Sequence, residues 1–179
     1  RGRVVVRYDK RDTGESTCYP PGQPGYGMDE LAEDAVAILD WFGVEKAQFV
    51  GRSRGGKVAN IVALMYPERV SSIVMIASGA WDDNYYELPQ PDARMIEYWS
   101  STDKVDWTSV DAGGARQVRA REVMNGSGRL FDAEGTKTMV LADTARAEAP
   151  QSRFNHANLG GADQYQLRPR EIPLSVTLI

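Results

Sequence analysis

The first 78 residues switch repeatedly between two hydrophobic periods. Arg3 to Tyr8 (RVVVRY) is short and β-branched and predicts a strand. Asp9 to Gly27 is dominated by Gly, Pro, Ser, Thr and Asp, and predicts a long ordered loop. In MDELAEDAVAILDWFG, Leu31, Ala35, Ile38, Leu39 and Phe42 share one face of a 3.6-residue period, which predicts a helix. Acidic residues at 29, 30, 33 and 34 load its first turns, and Gly43 stands where a terminating glycine belongs. Ala47 to Gly51 predicts a second strand. Val58, Ile61, Val62 and Met65 predict a second helix, stopped by Pro67. Ser71 to Ser78 (SSIVMIAS) predicts a third strand, apolar on both faces like a strand inside a parallel sheet. Strand, helix, strand, helix, strand is the order of a doubly wound α/β sheet.

The pattern then changes. Gly79 to about Ile172 is far longer than an ordinary connection and rich in aromatics: Trp81, Tyr85, Tyr86, Tyr98, Trp99 and Trp107. Periodicity predicts helices over Ala93–Trp99, Ala115–Met124 and Thr136–Ala147, with glycine-rich breaks between them. IPLSVTLI, Ile172 to Ile179, predicts a fourth strand. Neither an internal repeat nor a low-complexity tract interrupts the chain.

Composition narrows the function classes. Lys plus Arg number 21 against 25 Asp plus Glu, a net charge of −4, which argues against a nucleic-acid partner. No apolar run approaches the roughly 18–20 residues of a membrane span, so no membrane partner is expected. One cysteine, Cys18, excludes an internal disulfide and suits a reducing cytoplasm. One histidine, His156, excludes a multi-histidine metal site. No metal and no cofactor are expected, and the oligomeric state is not legible.

The residues that carry chemistry are Gly51-Arg52-Ser53-Arg54-Gly55, a G-x-S-x-G between a predicted strand and a predicted helix. A serine on that tight turn takes strained dihedrals, and small neighbours let the backbones cross closely. Its side chain then stands at the carboxyl end of the sheet and the amino end of a helix, where free N–H groups stabilise developing negative charge. The Arg54 N–H would be one oxyanion-hole donor. The same residues read as a chance pattern in a chain with 17 glycines.

With its surroundings the motif resembles the α/β-hydrolase superfamily. RYDKRDTGES is similar to that family's strand followed by its D-x-R-G-x-G-x-S loop. LAEDAVAILDWFGVEKAQFVGRSRGGKVANIVALMYPERVSSIVMIAS is similar to its helix–strand–elbow–helix–strand block. The variant Arg11 to Gly14 resembles the aclacinomycin-methylesterase-like bacterial esterases. The resemblance implies an α/β-hydrolase-type, mostly parallel sheet with an inserted helical lid: residues 1–78 as core, 79–171 as lid, and 172–179 as a returning core strand. It also implies a serine esterase acting on a small-molecule ester or related acyl bond. Ser53 would be the nucleophile, with a histidine as its base and a carboxylate orienting the histidine. Lid aromatics such as Trp81 would then line the substrate site, unless they simply pack the lid on the sheet.

The family places its histidine, its usual acid and its second oxyanion donor outside the stretch that this sequence matches. The expectation is therefore a piece of a longer hydrolase or an incomplete gene product, with the fold incomplete at both ends. Within the chain, His156 is the candidate base and Asp82 or Asp83 the candidate acid. The plainer readings are a packing histidine and a solvated acidic turn. Arg54 either binds a substrate carboxylate or forms an internal salt bridge with Asp9 or Asp34. Two other functions stay open. A hydrolase fold without its triad would serve as a non-catalytic binding protein. Gly51 to Lys57 also reads as a P-loop for a nucleotide, although Val58 stands where a magnesium-binding hydroxyl belongs and SSIVMIAS ends without an Asp.

Overall fold

The computed structural model describes residues 2, 4–79, 90–101, 104–106, 109–126, 128–165, 171–172 and 175–178. They fall into two units. One combines Arg1–Pro24 with Pro89–Asn158, and the other combines Gly25–Leu88 with Leu159–Ile179.

The second unit carries the sheet. Helix α1 spans Met28–Trp41, strand β1 Ala47–Arg52, helix α2 Arg54–Met65, strand β2 Val70–Ile76 and strand β3 Val176–Leu178. The strands lie in the order β1-β2-β3 and both pairings are parallel, with Gly51 beside Met75 and Ile73 beside Val176. Parallel neighbours need crossover connections, which the alternation of periods supplies. Ile73 and Met75 are fully buried, and Val70, at the start of β2, is buried as well. Val74 and Ile76 are only half-buried, and Val50 is 68% exposed. The expected burial of both faces is therefore corrected: one face is closed and the other is partly open.

α2 packs against β1, β2 and α1. Every residue from Val58 to Ala63 is buried, so it is enclosed nearly all round rather than along one stripe. On α1 the expected stripe holds at Leu31 and Ala35, fades at Ile38 and Leu39, and fails at Phe42. Phe42 lies beyond the last helical residue, 49% exposed, with its ring edge-on to Trp41. Residues past Leu159 tie back onto the start of α1, where Met28 N–H donates to Gly160 O at 3.1 Å and Gln164 Nε2 to Asp29 Oδ2 at 2.8 Å.

Two strand expectations are corrected. Residues 4–8 form no strand, and Val4 and Val5 are 88% and 81% exposed. A β-branched run is held extended by a neighbouring strand, and among the described residues no strand pairs with residues 4–8. The terminal strand shrinks to Val176–Leu178, with Ile172 buried outside it.

The first unit is helical: α3 Ala93–Ser100, α4 Val110–Val123 and α5 Ala133–Ala145, followed by a 3-10 helix over Pro150–Ala157. The last two begin earlier than their apolar periods because side chains cap them. Ser109 Oγ accepts Ala112 N–H at 3.2 Å, and Asp132 Oδ1 accepts Gly135 N–H at 2.9 Å. Gly113, Gly114 and Gly135 therefore lie inside helices rather than in breaks. Arg116 reaches from α4 to α3, stacking 3.5 Å from the Tyr98 ring centroid and donating to Ser101 Oγ at 2.7 Å.

The loop before Pro24 is held by buried polar groups. Asp12, at φ 62°, accepts Tyr19 N–H at 2.6 Å and Asn155 Nδ2 at 3.0 Å. Asn155 Oδ1 accepts Gly22 N–H at 2.6 Å, and Ser152 Oγ donates to Tyr19 O at 2.7 Å. Asn155 is fully buried, so Asn155→Ala removes the acceptor of the Gly22 amide and one donor to the Asp12 carboxylate. The expected cost is about 2–3 kcal/mol. Hydrogen exchange at Gly22 and a urea titration check this, and unchanged protection of the Gly22 amide would remove the anchoring role.

Candidate active site

The turn from β1 to α2 is one residue long. β1 ends at Arg52, α2 begins at Arg54, and Ser53 stands between them at φ 52°, ψ −121°. That is the left-handed side of backbone space, which a serine occupies only where its surroundings enforce it. Several contacts enforce it here. Ser53 N–H donates to Ile76 O at 2.9 Å, continuing the parallel ladder past the end of β1. Ser53 O accepts Gly56 N–H at 2.9 Å and Ser78 Oγ at 2.8 Å. Ser78, read from the sequence only as the end of a strand, is thus a lock on the turn. A hydroxyl just beyond the neighbouring strand was the available signal.

Glycines permit the crossing. A Cβ on Gly51 would collide with the carbonyl group of Gly55 and the nitrogen of Gly56, and a Cβ on Gly56 would lie 2.5 Å from Ser78 Oγ. A Cβ on Gly55 would meet nothing within 4 Å. The required pair is Gly51 and Gly56, one residue beyond the G-x-S-x-G spacing.

Ser53 is exposed and its hydroxyl has no hydrogen-bond partner among the described residues. The N–H groups of Arg54 and Gly55 precede the first bonds of α2, so neither has an acceptor within the helix. An exposed serine beside two N–H groups that have no acceptor among the described residues, at a helix amino terminus, is the arrangement an acyl-transfer nucleophile needs.

Arg54 is half-buried, and burial pushes its guanidinium below the usual arginine range, with Tyr26 working in the opposite direction. Burial also lowers Lys57, and the Arg54 charge adds to that. The expected salt bridge from Arg54 to Asp9 or Asp34 is absent, since Arg54 forms no ion pair among the described residues. Asp9 is taken instead by both terminal nitrogens of Arg146, with Nη2 at 2.7 Å from Oδ1, and this pairing holds the Asp9 carboxyl below its ordinary range.

His156 is buried in the 3-10 helix Pro150–Ala157 of the first unit, whereas Ser53 belongs to the second. Its Nε2 lies 2.8 Å from Arg11 O. A carbonyl only accepts, so that nitrogen carries the proton. Asp82, Asp83 and Trp81 lie outside the described residues. Among the described residues no group of three or more His, Cys, Asp or Glu is placed to hold a metal ion, and no helix is long and apolar enough to cross a membrane. A depression of about 590 Å³ lined by Asp40, Gly43, Val44, Glu45, Glu68 and Arg69 lies at the other end of the strands, before β1 and β2 begin.

Known proteins agree with this geometry. A family model described as α/β hydrolase fold matches residues 1–109. Rhodomycin D methylesterase DauP of Streptomyces sp. (strain C5) is 33% identical over 160 residues, covering 82% of this chain and 53% of that protein. Est816, described as an N-acyl homoserine lactone degrading enzyme, superposes with a TM-score of 0.58 at 24% identity, over 95% of this chain and 61% of that one. The enol-lactonase of Burkholderia xenovorans LB400 superposes at 0.57 with 17% identity, over 96% of this chain and 60% of that one. This chain spans about half the length of the curated methylesterase it matches. The strained serine between a parallel strand and a helix, the sheet order and the family match agree: the chain belongs to the α/β-hydrolase fold family.

Proposed function

We propose that the protein is a serine esterase that hydrolyses a small-molecule ester or related acyl bond, with Ser53 as nucleophile. The observation that carries this reading is the Ser53 turn, where an exposed serine stands beside two N–H groups with no acceptor among the described residues at the start of α2. Attack by Ser53 Oγ on an ester carbonyl, its proton passing to a general base, forms a tetrahedral oxyanion to which the Arg54 N–H donates. Collapse, with that proton returned by the same group to the departing oxygen, expels the alcohol and leaves an acyl-serine, which water hydrolyses. The 33% identity to a methylesterase over most of the chain supports ester chemistry in particular.

We assign His156 to holding the Arg11 carbonyl rather than to taking the Ser53 proton, because its Nε2–H is already committed there. Asp82 or Asp83, a few residues past β2 in the sequence, remains our candidate acid. We read residues 79–171 as the lid that shapes acyl and alcohol specificity, Trp81 included. A reducing compartment suits the free thiol of Cys18.

The test is a p-nitrophenyl ester assay on the intact protein and on Ser53→Ala. Hydrolysis is expected where the family's base and acid are supplied, with poor or no turnover by residues 1–179 alone, and a fall of at least about 10³-fold in kcat for Ser53→Ala in the active protein. Equal rates would overturn the assignment and favour a non-catalytic binding protein. The nucleotide-binding reading loses its support in the geometry, because a one-residue turn has no loop to wrap a phosphate chain.

A further inference from the structure

Two cations stand in the first turn of α2, Arg54 and Lys57, and that turn contains no acidic residue. This is the wrong end of a helix for positive charge. The amino terminus already carries the positive pole of the macrodipole, and a cation there costs stability instead of adding it. Partial burial of Arg54 makes the arrangement costlier still, since a desolvated guanidinium normally sits opposite a carboxylate. Of the two candidate partners, Asp9 is committed to Arg146 and Asp34 forms no ion pair with Arg54, which has neither an ion pair nor a side-chain hydrogen bond among the described residues. Among the described residues Tyr26 favours that charge but no carboxylate pairs with it, one residue from Ser53.

We propose that the Arg54 guanidinium binds a carboxylate carried by the substrate that Ser53 attacks, making the preferred substrates esters with a free carboxylate a few carbon atoms from the scissile carbonyl. This rests on Ser53 being the nucleophile and adds the substrate class. The guanidinium fork matches a carboxylate through two parallel N–H···O bonds, which fixes orientation as well as supplying affinity. Lys57, one turn on, raises the local positive potential without having to touch the ligand. A neutral ester gains none of this.

The experiment compares two esters of equal acyl length, mono-p-nitrophenyl glutarate and p-nitrophenyl pentanoate, on the intact protein. The readout is the ratio of their kcat/KM values at one fixed ionic strength. The wild-type protein is expected to favour the glutarate ester. Arg54→Ala and Arg54→Gln are expected to lower the ratio at least about tenfold, and Arg54→Lys to restore part of it. Calorimetric binding of glutarate to the Ser53→Ala protein reads the same contact without turnover, and adding Arg54→Ala is expected to weaken it by a similar factor. A ratio that does not move across the three variants, or glutarate binding indifferent to Arg54, would overturn the proposal. Loss of both esters in Ser53→Ala alone reports on the nucleophile separately, so the two claims fail independently.

Discussion

Replacing Ser53 with glycine is expected to make the protein more stable by about 1–2 kcal/mol while abolishing ester hydrolysis. The stability gain follows from the backbone. Ser53 sits at φ 52°, ψ −121°, where a residue with a Cβ stores roughly 1–3 kcal/mol of strain and glycine stores little. The neighbours that hold the turn act on its backbone, through Ile76 O, Gly56 N–H and Ser78 Oγ, so they survive the substitution. Ser53→Ala keeps the Cβ and hence the strain. It should match the wild type in stability and share only the loss of turnover. The pair separates strain from chemistry, with thermal unfolding as one readout and ester turnover as the other. A glycine variant less stable than the alanine variant would show that the turn is not strained in solution.

Gly51→Ala carries the largest expected structural effect. Its Cβ would run into the Gly55 carbonyl and the Gly56 nitrogen. Those are backbone atoms of the first turn of α2 and cannot rotate aside, so either the helix start lifts off β1 or the strand end shifts. The expected cost is about 3 kcal/mol. Residual folded protein should hydrolyse esters about a hundredfold more slowly, because the Oγ and the Arg54 N–H no longer hold their relative positions. Gly55→Ala is the matched control, with open space around the new methyl and an ordinary helical φ; it should stay within about 1 kcal/mol of the wild type. Chemical denaturation of the two variants side by side decides the matter. Equal sensitivity at both positions would mean that the helix does not cross the strand as closely as described.

That contrast also shows what was legible in the sequence. The spacing of Gly51 and Ser53 between a strand and a helix was enough to predict the turn and its strain, because local sterics alone dictate both. It was not enough to show that Gly56 rather than Gly55 is the second required glycine, since that depends on Ser78 approaching from the end of β2. The helices of residues 89–158 appear near their periodic segments, but Ser109 and Asp132 start two of them earlier than apolar spacing suggests. Capping is a side-chain event that hydrophobic period does not register. RVVVRY misled because strand propensity reports fitness for a pleated surface and not the presence of a neighbour to pair with. That Asp9 does not pair with Arg54 was not legible in the sequence, because Asp9 is taken by Arg146, 137 residues further along the chain. Ion-pair choice among many candidate acids is set by tertiary placement. His156 could be read as base or packing residue from sequence, and its bond to Arg11 O is equally a long-range contact.

The central claim is that Ser53 is the nucleophile, and covalent capture tests it most directly. The intact protein would be treated with a fluorophosphonate, digested, and its adduct mapped by mass spectrometry. A single stoichiometric adduct on Ser53, blocked by prior incubation with a hydrolysable ester and absent from Ser53→Ala, is the predicted result. No adduct under conditions where the ester is turned over, or an adduct on another residue, would contradict it.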